Sequence, residues 1–134
     1  MAVLLVDVAN VVGSRPDGWW RDRAGATTRL LERLVALDSR TVAGPDGAPL
    51  ACEVVVAVVE GRARDVPVVE PVRIVRAPGS GDHALAAEAA ALAAGERDVL
   101  VVTADRGLRA RLPGAVDVAG PGWLLARLDE VAPG

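Results

Sequence analysis

With 134 residues, 51% of them apolar and 25% charged, the chain is long enough to bury a substantial core as one domain spanning residues 1–134. Its net charge of −3 argues against nucleic-acid binding by bulk charge, and no apolar run reaches the roughly 18 residues needed to cross a bilayer. There is no lysine: all fifteen basic residues are arginine, so a titrating lysine is excluded, while each cation suits bidentate contact with phosphate.

The first strand is predicted over Met1–Asp7. Its unbroken Val- and Leu-rich run reads as a central strand of a parallel sheet, covered on both faces. No basic segment precedes that run, so it does not resemble a signal peptide. A cytoplasmic location is expected, with no membrane association. The single cysteine, Cys52, permits no internal disulfide and reads as a small buried hydrophobe.

From Val11 to Gly25, the spacing of Gly13, Pro16 and Gly18 predicts a loop. Trp19 and Trp20 stand in it among Arg15, Arg21 and Arg23. Two readings apply to the tryptophans: packing of the loop onto the core, or a stacking platform of the kind single-stranded nucleic-acid sites use. One Trp can serve each. A helix is predicted over residues 26–37, with Leu30, Leu31, Leu34 and Leu37 on its apolar face. Ser39–Pro49 reads as a connector turning at Gly44-Pro45-Asp46-Gly47.

The second strand is Glu53–Val59, ending at Glu60, which is a candidate fourth acid but reads first as an exposed strand-end carboxylate paired with Arg62 or Arg64. Val72–Arg76 is a short strand near an edge. Asp82 and His83 open a helix that Gly95 closes. Asp98–Val102 is the fourth strand, followed by Thr103-Ala104-Asp105. A short helix over residues 106–112, a fifth strand at residues 116–118 and a helix over residues 123–131 complete the chain. Strands and helices alternate throughout, which predicts a doubly wound α/β sandwich with a mainly parallel five-stranded sheet.

Three acids fall at corresponding places. Asp7 ends the first strand, Asp82 opens the helix after the third, and Asp105 follows the fourth. With the first strand central, they meet at the carboxyl edge of the sheet, where open α/β sheets bind ligands. Asp7 interrupts a buried run, which is costly for a carboxylate without a partner or a job. Asp82 and Asp105 taken singly also suit helix caps. Clustered carboxylates raise one another's pKa until a cation joins them, and hard oxygen donors suit Mg2+ or Mn2+. Such ions hold a phosphodiester and activate water. Asn10 and Thr103 are neutral groups at the same edge, fit to position a water or a phosphate oxygen. Arg15, Arg62 and Arg106 follow strands and are candidates for phosphate contact.

Val6-Asp7-Val8-Ala9-Asn10, Gly81-Asp82-His83-Ala84-Leu85 and Val102-Thr103-Ala104-Asp105-Arg106-Gly107-Leu108 together resemble, in order and spacing, the NYN domain, YacP-like branch of the PIN-like nuclease superfamily. The resemblance covers nearly the whole chain. It implies a Rossmann-like three-layer α/β/α sandwich of the PIN-like type, an acidic pocket with Mg2+ or Mn2+, and endonucleolytic cleavage of RNA. The family's opening Asp-x-x-Asn corresponds to Asp7 and Asn10, its middle acid to Asp82, and its Thr/Ser-x-Asp to Thr103 and Asp105. The middle motif often carries a second acid, and this chain has His83 there, either an imidazole for a water or phosphate or a surface residue at a helix start. Single-stranded RNA is the expected partner, and the Trp pair or the last helix could contact a second copy in a homodimer.

Rival readings are weaker. Gly79-Ser80-Gly81-Asp82-His83-Ala84 fits a dinucleotide fingerprint, but it follows the third strand and sets a carboxylate against the pyrophosphate. A receiver domain needs a lysine, an aspartate-nucleophile phosphatase needs an acid at Ala9, and no P-loop is present. The alternative from another class is a non-catalytic RNA-binding or protein-interaction module on the same fold, for which His83 is the main support.

Overall fold

A computed structural model describes residues 1–132. The elements in chain order are β1 (Ala2–Asp7), α1 (Val8–Val12), α2 (Arg23–Leu34), β2 (Thr41–Ala43), β3 (Pro49–Val59), β4 (Arg73–Arg76), α3 (Gly81–Ala94), β5 (Asp98–Val102), α4 (Arg106–Arg109), β6 (Asp117–Ala119) and α5 (Pro121–Val131). Single 3-10 turns at Trp19–Arg21, Val35–Leu37 and Gly61–Ala63 link some of them.

β1 is the central strand, as its composition requires. It pairs in parallel with β3 on one side and β5 on the other, and every residue from Ala2 to Asp7 is buried. β6 extends the sheet beyond β5, and β4 pairs with the last four residues of β3, both in parallel. Successive side chains of a strand point to opposite faces, so β1 feeds two separate cores. Leu4 and Val6 pack in a cluster with Leu30, Leu31 and Leu34 of α2 and Leu124, Leu125 and Leu128 of α5. Val3 and Leu5 pack in another with Leu85 and Ala89 of α3 and Leu108 of α4. Helices therefore cover both faces, and the layers are α/β/α. No described helix is long and apolar enough to cross a membrane.

The sheet has six strands, one more than expected. The connector at Ser39–Pro49 contains β2, which pairs antiparallel with the start of β3. β3 accordingly begins at Pro49, before Glu53. The turn is closed by Gly47 with φ of +86°, a conformation that suits glycine. A second difference concerns the opening loop: Val8–Val12 coils into α1 as soon as β1 ends, with Asp7 as its N-cap. α2 starts earlier than predicted, because Asp22 caps it by accepting from the Gly25 N–H (2.9 Å). It passes into a 3-10 turn after Leu34. Cys52 is buried and unpaired, as read.

Candidate active site

The carboxyl edge of the central strands carries the acids. Asp7 is only 6% exposed. Its Oδ2 accepts from the Thr103 hydroxyl (2.8 Å), and its Oδ1 accepts from the Asn10 N–H (3.4 Å). Thr103 is fully buried, and its Oγ1 also accepts from the Asp105 N–H (3.1 Å). The Asn10 Oδ1 accepts from the Ala104 N–H (2.8 Å), fastening α1 to the loop after β5. Asp105 caps α4 by accepting from the Leu108 N–H (2.9 Å). One polar network thus runs from the end of β1 to the end of β5 and ties together Asp7, Asn10, Thr103 and Asp105.

Burial pushes the Asp7 carboxyl up to about 6; the bonds from Thr103 and Asn10 act against that rise, and the charges of Asp82 and Glu60 add to it. The Asp82 carboxyl is also raised, by desolvation first and then by Asp105 and Glu60, with Arg111 opposing. These mutual repulsions bring Asp82 into one electrostatic group with Asp7 and Asp105.

Glu60 belongs to that group too, which favours its second reading, as a fourth acid, and corrects the first, as a partner of Arg62 or Arg64. Neither ion pair forms, and Arg64 donates instead to the Pro78 carbonyl (3.3 Å). The Glu60 Oε2 accepts from the Gly81 N–H (2.6 Å), at the first residue of α3. Ser80, at the N-cap, makes no side-chain capping bond, so Glu60 supplies the cap from another strand. A Cβ on residue 81 would stand 2.7 Å from the Glu60 carboxyl carbon, so glycine admits this approach. Sequence reasoning missed the contact because it spans 21 positions; the signal was a glycine opening a helix whose N-cap lacks a bond. The same contact counts against a dinucleotide site, since a carboxylate already occupies the helix start where a pyrophosphate would bind.

The other expected residues lie around this edge with less definition. His83 is exposed, with Nδ1 3.4 Å from Arg111 Nη2. Arg62, two residues after Glu60, and Arg106, next to Asp105, are both exposed. Arg15 is drawn toward Asp129 near the far end of α5 (3.6 Å), away from the acids. A shallow groove of about 380 Å³ borders the network, lined by Ala9, Asn10, Gly13, Ser14, Ala104, Pro121 and Gly122. A larger depression of about 570 Å³ lies at the opposite edge, near Met1, Asp98 and Asp117, and none of the three acids lines it.

Among the described residues, no three Asp, Glu, His or Cys side chains are gathered closely enough to hold an ion by themselves. The donors are nonetheless hard oxygens that repel one another, and Asp82 and Asp105 are only partly buried. Such a set does not fit a dehydrated cage. It fits Mg2+ or Mn2+ retaining several waters and met by one or two carboxylates.

The six-stranded order and the helical layers on both faces define a Rossmann-like α/β/α fold with the acids at its carboxyl edge. More narrowly, the fold is YacP-like. The crystal structure of a mutant of Rae1 (YacP) from Bacillus subtilis matches with a TM-score of 0.68 at 20% sequence identity, covering 98% of this chain and 77% of that one. No protein-family model and no curated protein matches the sequence.

Proposed function

We propose that the chain is a Mg2+- or Mn2+-dependent endoribonuclease whose catalytic acids are Asp7, Asp82 and Asp105. The observation that carries the proposal is the buried Asp7 carboxylate at the carboxyl edge of the central strand. It is held by Thr103 and Asn10 and repelled by neighbouring acids. An unneutralised charge in that position is costly, and a cation removes the cost. Asp7, Asp82 and Asp105 would be the metal's ligands, directly or through its waters. Bound there, the metal would neutralise phosphate charge and lower the pKa of the attacking water. Thr103 keeps the Asp7 carboxylate in one orientation. Asn10 holds α1 against the loop after β5, and its amide N–H2 is left to meet a phosphate oxygen. Arg62, Arg106 and His83 are exposed at the same edge and would contact the RNA backbone.

The test is cleavage of single-stranded RNA with Mn2+. Asp7→Asn and Asp105→Asn should each lower the rate by at least about a hundredfold, the scale expected on losing charge stabilisation, while circular dichroism stays unchanged. Cleavage at the wild-type rate in either variant would reject the assigned roles. The second reading, a non-catalytic RNA-binding module, draws on the exposed His83 and the absence of a closed donor set among the described residues. Calorimetry separates the two: no Mn2+ binding by the wild-type chain favours the module.

A further inference from the structure

Trp20 is 54% exposed, one of three large apolar side chains so open in the described structure. Exposure of this much indole is costly in a chain with only three Trp and neither Phe nor Tyr. The surroundings are organised. Trp19 and Trp20 meet edge to face with centroids 6.0 Å apart. The Arg21 guanidinium lies over the Trp20 ring at 5.8 Å, and that of Arg23 over the Trp19 ring at 5.2 Å. Neither Arg21 nor Arg23 forms an ion pair among the described residues. The nearby acids are occupied: Asp17 accepts from the Trp19 N–H (3.2 Å), and Asp22 caps α2.

The location is as telling as the exposure. The Trp turn immediately precedes α2, which leaves the carboxyl edge of the sheet to reach the start of β2. Trp19 packs beside Gly13, where a Cβ would stand 3.7 Å from its ring. Gly13 in turn lines the groove that contains Asn10 and Ala104. Since α1 rises about 1.5 Å per residue, Gly13 lies roughly 9 Å beyond Asp7, a span of one or two nucleotides. Trp19 anchors the turn, and Trp20, with Arg21 over its ring, stays more than half exposed.

We propose that Trp20, with Arg21 and Arg23, forms a base-stacking site for single-stranded RNA, reached from the acidic edge along the groove beside Asn10 and Gly13. An unpaired base stacks on the indole, and the two arginines meet the flanking phosphates. Stacking of this kind tolerates any base but requires that the base be unpaired. The proposal rests on RNA being the substrate, and its test is kept apart from cleavage.

Binding is read in EDTA by fluorescence anisotropy with the full chain and labelled oligoadenylate of roughly ten nucleotides, a usual single-strand site size. Trp20→Ala should weaken binding about tenfold, and Trp20→Phe should restore most of it. Both variants should melt within a few degrees of wild type, because the residue is exposed. An abasic oligomer of the same length should bind wild type as weakly as oligoadenylate binds Trp20→Ala. Equal affinity of wild type and Trp20→Ala overturns the proposal, as does equal affinity for the abasic oligomer. Absence of any oligonucleotide affinity also overturns it, and would turn the patch toward a protein partner. Stacking without cleavage in Mn2+ supports this site and sinks the nuclease reading; cleavage with Trp20→Ala binding as wild type does the reverse.

Discussion

Asp7 sets burial against charge within one side chain. The unfolded chain releases this proton near pH 3.8, whereas in the folded protein burial holds the carboxyl up to about 6. Between those values the folded state binds the proton more tightly, so the stabilising contribution is fully present below the lower value and is lost as pH rises through 6. The gap corresponds to about 3 kcal/mol. Asp7→Asn should therefore be more stable than wild type at pH 7.5 in EDTA by up to about 3 kcal/mol, with the difference shrinking toward pH 4. Urea denaturation at several pH values measures it. A variant no more stable than wild type at pH 7.5 would show that Thr103 and Asn10 fully compensate the buried charge. Thr103→Val tests that compensation from the other side. It removes the hydroxyl from a buried carboxylate and should cost about 1–3 kcal/mol at pH 7.5, and less at pH 5 where Asp7 is protonated. Asp7 was legible in the sequence because it breaks an apolar run. Thr103 was legible as a site neighbour, but its two bonds were not, since they join residues 96 and 2 positions apart through a fold not yet formed.

At the scale of elements, the start of α3 shows how one helix is steered by a distant strand. Glu60 terminates β3 and accepts from the Gly81 N–H, holding the first turn of α3, and with it Asp82, against the sheet edge. The bond and the charge have separable effects. Glu60→Gln keeps an acceptor for Gly81 while removing a repelling charge, so the Asp82 carboxyl should titrate lower, followed by NMR, with little change in stability. Glu60→Ala loses the cap as well and should destabilise by about 1 kcal/mol. An unmoved Asp82 titration in Glu60→Gln would place Glu60 outside the acidic group. The elements that sequence reasoning recovered, β1, β5 and α3, are those with long apolar runs or clear stops such as Gly95. Those it missed were set by pairing or capping. β2 has three residues and exists because β3 is long enough to hold it, and α1 coils because Asp7 caps it. Glu60 was weighed as a fourth acid but read first through its neighbours in sequence, Arg62 and Arg64, when its hydrogen-bond partner arrives from α3.

At the scale of the molecule, the sheet order carries four separated carboxylates to one edge, where their charges act on one another. β1 lies between β3 and β5, and its parallel neighbours all end on the same edge. Asp7, Glu60 and Asp105 are therefore carried there by strand direction alone, and the crossover from β4 delivers Asp82. The alternating pattern was sufficient to predict this convergence, because right-handed parallel crossovers leave few arrangements. It did not reveal how open the carboxylates remain, which depends on rotamers and caps. An incompletely closed, repelling set has a thermodynamic signature. Only the folded chain presents these acids together, so a divalent cation that binds them must raise the melting temperature. At a concentration about a hundredfold above its dissociation constant, Mn2+ should add about 2.7 kcal/mol, or roughly 5–10 °C. Protons compete for Asp7, so the increment should fall as pH drops below about 6. Asp7→Asn should abolish most of it, whereas Trp20→Phe, on the stacking surface, should leave it intact. Thermal scans with Mn2+ and EDTA decide the matter: equal shifts in wild type and Asp7→Asn would mean that the ion binds elsewhere, and that the acids at the carboxyl edge repel one another without a cation to join them.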